Sequence, residues 1–344
     1  MTKLVTRYVT ESDFAGWDAF VASHPESTFF HRIGWLRVIR RAFRHEPHYL
    51  VTENQEGEMV AVLPLFEVKS ALFGHSLVSV PFCVYGGPLA GNEEAMLHIT
   101  DYAAGLAKRL NVDFLELRNI DKIRDDWPVK SIHSTFIRPI ECDDAKNLAA
   151  VKYKQRAVVR KSLKNNLEIS FPSDSDEFYL AYSTSVRNLG TPVFSKRYFL
   201  ELKREFGDDC EILSVKKNGQ LHSALMSFYF KDTVLPYYGG GLPESRGSKA
   251  MDLMYFDQMC RAGKKGYKLY DFGRSKNDSG PFKYKKHWGF EAKPLNYQYF
   301  LVNSTELPDL NPLNPKYQLM INTWKKLPLR LSQLIGPLVS KYLG

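Results

Sequence analysis

The alternation of apolar and polar positions repeats one order of elements twice along the chain. From His48 to Phe66 two β-prone runs flank Glu56-Gly57, which predicts a pair of strands around a tight turn. Glu211 to Phe230 does the same around Asn218-Gly219, a dipeptide that tolerates φ > 0 at both positions and so suits a two-residue hairpin. Each pair leads to another strand and a tyrosine-glycine cluster, Tyr85-Gly86-Gly87-Pro88 first and Tyr237-Tyr238-Gly239-Gly240-Gly241 second. Helical periodicity follows over Glu93 to Leu110 and Ser248 to Lys264, then a strand over Asp113 to Arg118 and Lys268 to Gly273. Asn111 to Asn119 (NVDFLELRN) aligns without a gap over Gly266 to Arg274 (GYKLYDFGR), setting Glu116 over Asp271. The pattern predicts an α/β (α+β) protein with two tandem copies of one unit, each a mixed, mostly antiparallel sheet flanked by helices. We place the copies at residues 1–150 and 151–305, with a tail over 306–344.

Composition narrows the class. At 344 residues with 44% hydrophobic and 25% charged positions, the chain can bury two cores and reads as globular. Cys83, Cys142, Cys210 and Cys260 are scattered with no ligand spacing, which argues for a reducing compartment and against a structural metal. They also give no nucleophile with a visible partner, so an acyl-enzyme is not supported. The N-terminus has no signal-peptide pattern and no apolar run reaches the roughly 18 residues of a membrane span, so the expected location is cytoplasmic.

The net charge of +9 is concentrated in two segments. Residues 151–167 carry Lys152, Lys154, Arg156, Arg160, Lys161 and Lys164 and no acid. A helix there would align Lys152, Arg156, Arg160 and Lys164 at i, i+4, where like charges repel unless an anion such as phosphate lies across them. A solvated helix face is the other reading. Residues 310–344 carry Lys316, Lys325, Lys326, Arg330 and Lys341, again without an acid, among leucines at roughly helical spacing. That basic amphipathic tail suits peripheral contact with an anionic inner-membrane surface, or packing onto the body, with Pro328 and Pro337 interrupting any single long helix.

The densest chemistry lies in Tyr267 to Phe290, YKLYDFGRSKNDSGPFKYKKHWGF. A short aromatic strand delivers Asp271 and Arg274 together around Gly273, and a polar loop follows over Ser275 to Gly280. Then Lys283, Lys285, Lys286 and His287 interleave with Phe282, Tyr284, Trp288 and Phe290, cations beside aromatic faces that suit a phosphate-bearing or planar ligand. Asp271 and Arg274 can orient an acceptor or merely fix the loop.

The element order of each half resembles a GNAT-type acyltransferase domain. Arg246-Gly247-Ser248-Lys249-Ala250, before the second helix, resembles the loop that holds a donor pyrophosphate there, but without its second glycine it does not select coenzyme A. Across nearly the whole chain the ordered segments FFHR with Trp35, PFCVYGGP, LELR, KQR, LGTPVF, PYYGGG, DFGRSK and KKHWGF resemble the FemAB family of aminoacyl and acyl transferases. The likeness is greatest to the FemAB-related proteins of exosortase/PEP-CTERM exopolysaccharide systems. The resemblance implies transfer of an acyl or aminoacyl group from acyl-CoA or aminoacyl-tRNA, as a co-substrate and not a bound cofactor, to a phosphate-bearing envelope precursor. The chain lacks the long helical hairpin of some tRNA-using members. The family's lysine-aromatic motif falls on Tyr284-Lys285, making Lys285 the group that steadies negative charge, with Arg274 its partner, Asp271 the acceptor's base and Tyr238 a proton relay. Gly239 and Gly240 would admit the donor, and Lys152, Arg156, Arg160, Lys164, Lys276, Lys283 and Trp288, with His31, Arg32 and Trp35 in the first half, would bind substrate. A non-catalytic factor that holds a lipid-linked polyanionic glycan at the membrane is the alternative.

Overall fold

The computed structural model describes residues 3–71, 73–308 and 315–343. They fall into two compact units, residues 3–132 with 294–308 and 341–343, and residues 133–293 with 315–340. Of the basic tail, residues 309–314 and the side chain of Lys316 lie outside the described set.

In unit 1, β1 (Val5–Tyr8), β2 (Leu50–Glu53), β3 (Met59–Leu63) and Leu89–Ala90 form one sheet. A second runs Glu46–Pro47, β4 (Leu65–Ser70), β5 (Gly74–Ser79), β6 (Phe114–Asn119), Asn296–Leu301, Val129–Lys130. Helices α1 (Phe14–Ser23) and α2 (Gly34–Phe43) lie between β1 and β2 in the chain, and α3 (Glu93–Leu110) is the crossover between the parallel strands β5 and β6. α3 occupies the span that its periodicity predicts. The Asn92 side chain accepts from the Ala95 amide at its start and Asn111, at φ 52°, ends it. Ile99, Ala103 and Ala107 bury one face against Leu63, Leu77 and Leu115.

After the short strand His133–Thr135, unit 2 runs through β7 (Ile137–Pro139), α4 (Asp144–Ala150), α5 (Tyr153–Ser162), β8 (Glu168–Ser170), α6 (Asp176–Leu189) and α7 (Lys196–Phe206). It continues through β9 (Cys210–Lys217), β10 (Gln220–Phe230), β11 (Thr233–Gly241), α8 (Ser245–Ser248), α9 (Ala250–Lys264), β12 (Leu269–Asp271) and α10 (Gly280–His287). The sheet order is β7-β12-β11-β10-β9-β8, antiparallel except where α9 crosses from β11 to the parallel β12. The β9–β10 turn has Asn218 at φ 52° and Gly219 at φ 76°, the hairpin that its sequence predicts. Helices α11 (Pro315–Lys326) and α12 (Leu329–Ser340) complete the unit, with the break between them at Pro328. Pro337 sits inside α12 and does not end it.

The second tyrosine-glycine cluster is not a turn. It is the end of β11, and its alternate residues serve opposite faces of the sheet. A Cβ on Gly239 would stand 2.7 Å from Tyr255 Oη of α9, and one on Gly241 3.1 Å from Met251 Cγ. One on Gly240 would stand 2.4 Å from the Ala181 carbonyl oxygen of α6. The glycines let α6 and α9 pack close to the sheet from its two sides.

Candidate active site

The start of α9 is where the sheet of unit 2 opens. Ser245, Arg246, Lys249, Met251, Asp252 and Tyr284 line a cavity of about 490 Å³. A second, of about 320 Å³, is lined by Ser185, Asn188, Leu189, Gly241, Leu242 and Pro243 and shares Ser245, Arg246 and Met251 with the first, so the two make one cleft. Local chemistry holds its rim. Ser248 Oγ meets His222 Nδ1 at 2.7 Å, the Ser248 carbonyl accepts from Asn165 Nδ2 at 2.6 Å, and Lys249 takes φ 62°, a region costly for a residue with a Cβ. A strained, braced loop carrying two cations at a helix start suits an anion.

Inside the cleft, Asp252 Oδ1 accepts from Gln155 Nε2 of α5 at 2.7 Å and from Tyr284 Oη of α10 at 2.9 Å. Burial pushes the Asp252 carboxyl above the usual carboxylate range, against the pull of those two bonds and of Lys249. The Tyr284 phenol is raised well above its ordinary value, first by burial and then by the Asp252 charge. A carboxyl so placed holds a proton more readily than a free one and can exchange it with a reacting group.

Helix α10 is started by Ser279, whose side chain accepts from the Phe282 amide, with Pro281 in the first turn. One residue beyond Tyr284 and about 100° round the helix, Lys285 turns toward the β12 loop instead of the cleft lining. Its Nζ donates to the Gly273 carbonyl at 3.0 Å and the Arg274 carbonyl at 2.9 Å, between the rings of Phe136 and Phe272. Only 8% of Lys285 is exposed, and desolvation brings its pKa down to about 7, with nearby Asp271 opposing that fall and Arg274 assisting it. An ammonium has three protons, and two are spent on loop carbonyls. Asp271, buried, accepts from the Gly273 amide at 2.9 Å, so it braces the φ 68° turn at Gly273 while facing the lysine. Unit 1 closes its counterpart. Glu116 accepts from Arg118 Nε at 2.8 Å and from Tyr299 Oη at 3.1 Å, and Arg118 Nη1 donates to the Cys83 carbonyl.

The other residues singled out by sequence scatter. Tyr238 lies on the sheet face opposite Gly239 and Gly241, among Tyr182, Tyr198 and Phe199 of α6 and α7, its hydroxyl 2.9 Å from that of Tyr198. Tyr238→Phe should therefore leave the rate of any group transfer unchanged and lower stability by about 1 kcal/mol in a urea melt. The four-cation stripe does not form, because of its members α5 holds only Arg156 and Arg160. Lys152 precedes its first turn and Lys164 follows its end. Arg156 is turned back onto the end of α4, donating to the carbonyls of Ala149 and Val151, which have no helical partner of their own. Trp288 is fully buried against Tyr255, Phe272 and Tyr284, so it is core, whereas Lys283 is exposed and Lys276 half-buried. In unit 1, His31 Nδ1 accepts from the Thr28 amide and its Nε2 reaches the Gly87 carbonyl. Trp35 donates to the Phe29 carbonyl, and Arg32 lies over the Phe29 ring. These three organise the core of unit 1. Burial pushes the Cys210 and Cys260 thiols up to about 12, where they are inert.

Sequence reading missed Asp252. Its signal was present, as an acid in the first turn of α9 just after the Arg246–Ala250 loop, but its partners Gln155 and Tyr284 come from distant segments.

Residues 152–286 match the family model for the Acetyltransferase (GNAT) domain. No curated protein matches the chain by sequence. Among solved structures, FemX is similar with a TM-score of 0.68 at 17% identity, over 92% of this chain and 100% of that one. A tandem GNAT protein from the clavulanic acid biosynthesis pathway aligns with a TM-score of 0.56 at 12% identity, over 89% and 100%. L-PGS from Bacillus licheniformis aligns at 0.54 and 11% identity, over 94% and 99%. Two α/β units, a helix-start cleft in the second and these likenesses agree: residues 152–286 match the GNAT acetyltransferase domain, within a chain that shares its fold with FemX and with a tandem GNAT protein.

Proposed function

We propose that this protein is an acyltransferase that moves an acyl or aminoacyl group from acyl-CoA or aminoacyl-tRNA to an amine or hydroxyl of a phosphate-bearing cell-envelope or exopolysaccharide precursor. The observation that carries the reading is the cleft at the start of α9, where Arg246, Lys249 and Asp252 line one cavity inside the GNAT-matched segment. Arg246 and Lys249 hold the donor's phosphates. The acceptor attacks the donor's acyl carbon, a C–N or C–O bond forms, and the thioester C–S bond or the tRNA ester C–O bond breaks. Asp252 takes the proton released by the acceptor and returns it to the leaving sulfur or oxygen. Lys285, at the β12 loop beside the cavity, steadies the oxyanion of the intermediate through its charge, while Asp271 and Arg274 set the field around it. This work is done in the cytoplasm, at the inner-membrane surface where a lipid-linked acceptor is held.

The full chain, incubated with acyl-CoA or with charged tRNA and an extracted lipid-linked acceptor, should add one acyl or aminoacyl mass to the acceptor, and the productive donor identifies itself. Arg246→Ala with Lys249→Ala should raise the donor KM about 100-fold with a smaller change in kcat. Salt-sensitive glycan binding with no mass gain from either donor would replace the reading with a non-catalytic holding factor.

A further inference from the structure

Helix α12 is built inside out. The residues of α12 that meet the rest of unit 2 are small: Ser332, Gly336 and Ser340 are buried. A Cβ on Gly336 would stand 2.9 Å from the Val193 carbonyl oxygen, and Ser340 Oγ donates to that same oxygen at 3.1 Å. Gln333 Nε2 donates to Ser183 Oγ of α6 at 2.8 Å, and Arg187 of α6 donates to the Leu327 carbonyl between the two helices. Small and polar contacts thus make the seam that a surface helix ordinarily builds from apolar side chains.

The leucines point the other way. Leu334 is 72% exposed, Leu338 64%, and Leu331 is exposed as well. At about 100° per residue the three lie within an arc of about 60°, opposite the Ser332, Gly336, Ser340 stripe. On α11, Leu319 is 71% exposed and Met320 joins it. Leu189 extends the apolar surface from the end of α6, beside Gly190, whose Cα packs against Ile321 of α11. Lys325, Lys326 and Arg330, all exposed, bracket the turn between the helices, and residues 310–344 hold no acid.

Exposed leucines gathered on one face of α12, with exposed Leu319 and Met320 on α11, mark an interaction surface, and the cations choose the occupant. A second copy docked by two-fold symmetry would set this basic surface against itself, whereas lipid phosphates neutralise it. We propose that α11 and α12, with Leu189 at the margin, dock on an anionic phospholipid bilayer, the leucines entering the headgroup boundary and Lys325, Lys326 and Arg330 meeting phosphates. Leu189 also lines the 320 Å³ part of the cleft, so docking opens the cleft beside the bilayer. The proposal stands whether or not the chain is a transferase.

Flotation of the full chain with vesicles tests it. The protein should partition onto phosphatidylglycerol/phosphatidylcholine vesicles about tenfold or more better than onto pure phosphatidylcholine, and less well as salt rises. Leu334→Glu with Leu338→Glu should weaken partition about 100-fold, and Lys325→Glu with Lys326→Glu about tenfold, each with an unchanged melting curve because the side chains are exposed. Absence of binding to either vesicle overturns the proposal, as does binding that the leucine changes leave intact. A vesicle-free dimer, seen by light scattering and dissolved by the leucine changes, overturns it in favour of a contact between copies.

Discussion

Lys285→Met should lower kcat for group transfer by about 100- to 1000-fold and leave the donor KM nearly unchanged. The ammonium sits between two aromatic rings with two protons fixed by loop carbonyls, so its stabilisation is delivered as charge develops on the reacting oxygen and adds little to ground-state binding. Because its pKa is about 7, the wild-type kcat/KM should fall as pH rises through that value, and the Met variant should lack this limb. Stability gives an independent check. The folded pKa lies below the unfolded lysine value of about 10.4, so the penalty of burying the charge is fully present below pH 7. It fades as pH rises from 7 toward 10.4, where both states are neutral. The melting temperature of Lys285→Met minus that of wild type should therefore be most positive at pH 6 and shrink toward pH 9. An active Lys285→Met protein would remove the lysine from the chemistry, and a pH-independent difference in melting would show that the amine is not held at a depressed pKa.

Gly240→Ala should destabilise the protein by about 3 kcal/mol, visible as an earlier urea midpoint, while the folded fraction keeps its kcat and KM. The new methyl would stand 2.4 Å from the Ala181 carbonyl oxygen and 2.5 Å from Tyr182 Cα. Both are backbone atoms of α6, which cannot swing aside as a flexible side chain can. The donor-admitting role that the family likeness implies for this glycine predicts the reverse, a raised donor KM with an unchanged melt. The two outcomes separate a packing glycine from a ligand-binding one.

These contrasts show how far local pattern reached. The span of α3, the Asn218-Gly219 hairpin and the doubled order of elements were legible because each depends on periodicity or turn chemistry within a few residues. The Tyr267–Phe290 segment was legible as chemistry for the same reason, since Asp271, Arg274, Tyr284 and Lys285 are near one another in the chain. Pattern misled where a residue's role depends on its far side. Tyr238 and Trp288 carry groups suited to a site, yet one faces α6 and α7 and the other is sealed among Tyr255, Phe272 and Tyr284.

By itself the sequence determined the element order, the repeat and the gathering of cations into two segments, all properties of neighbouring residues. Only the tertiary structure decided which sheet each strand joins, with residues 296–301 returning to pair with β6 and residues 137–139 pairing with β12. It alone brought Gln155, Asp252 and Tyr284 to one carboxyl oxygen, and turned the small residues of α12 inward and its leucines outward. The physical reason is common to all three. Period tells which residues share a face, but burial, and with it the pKa of a carboxyl or the exposure of a leucine, is set by whatever distant segment packs against that face.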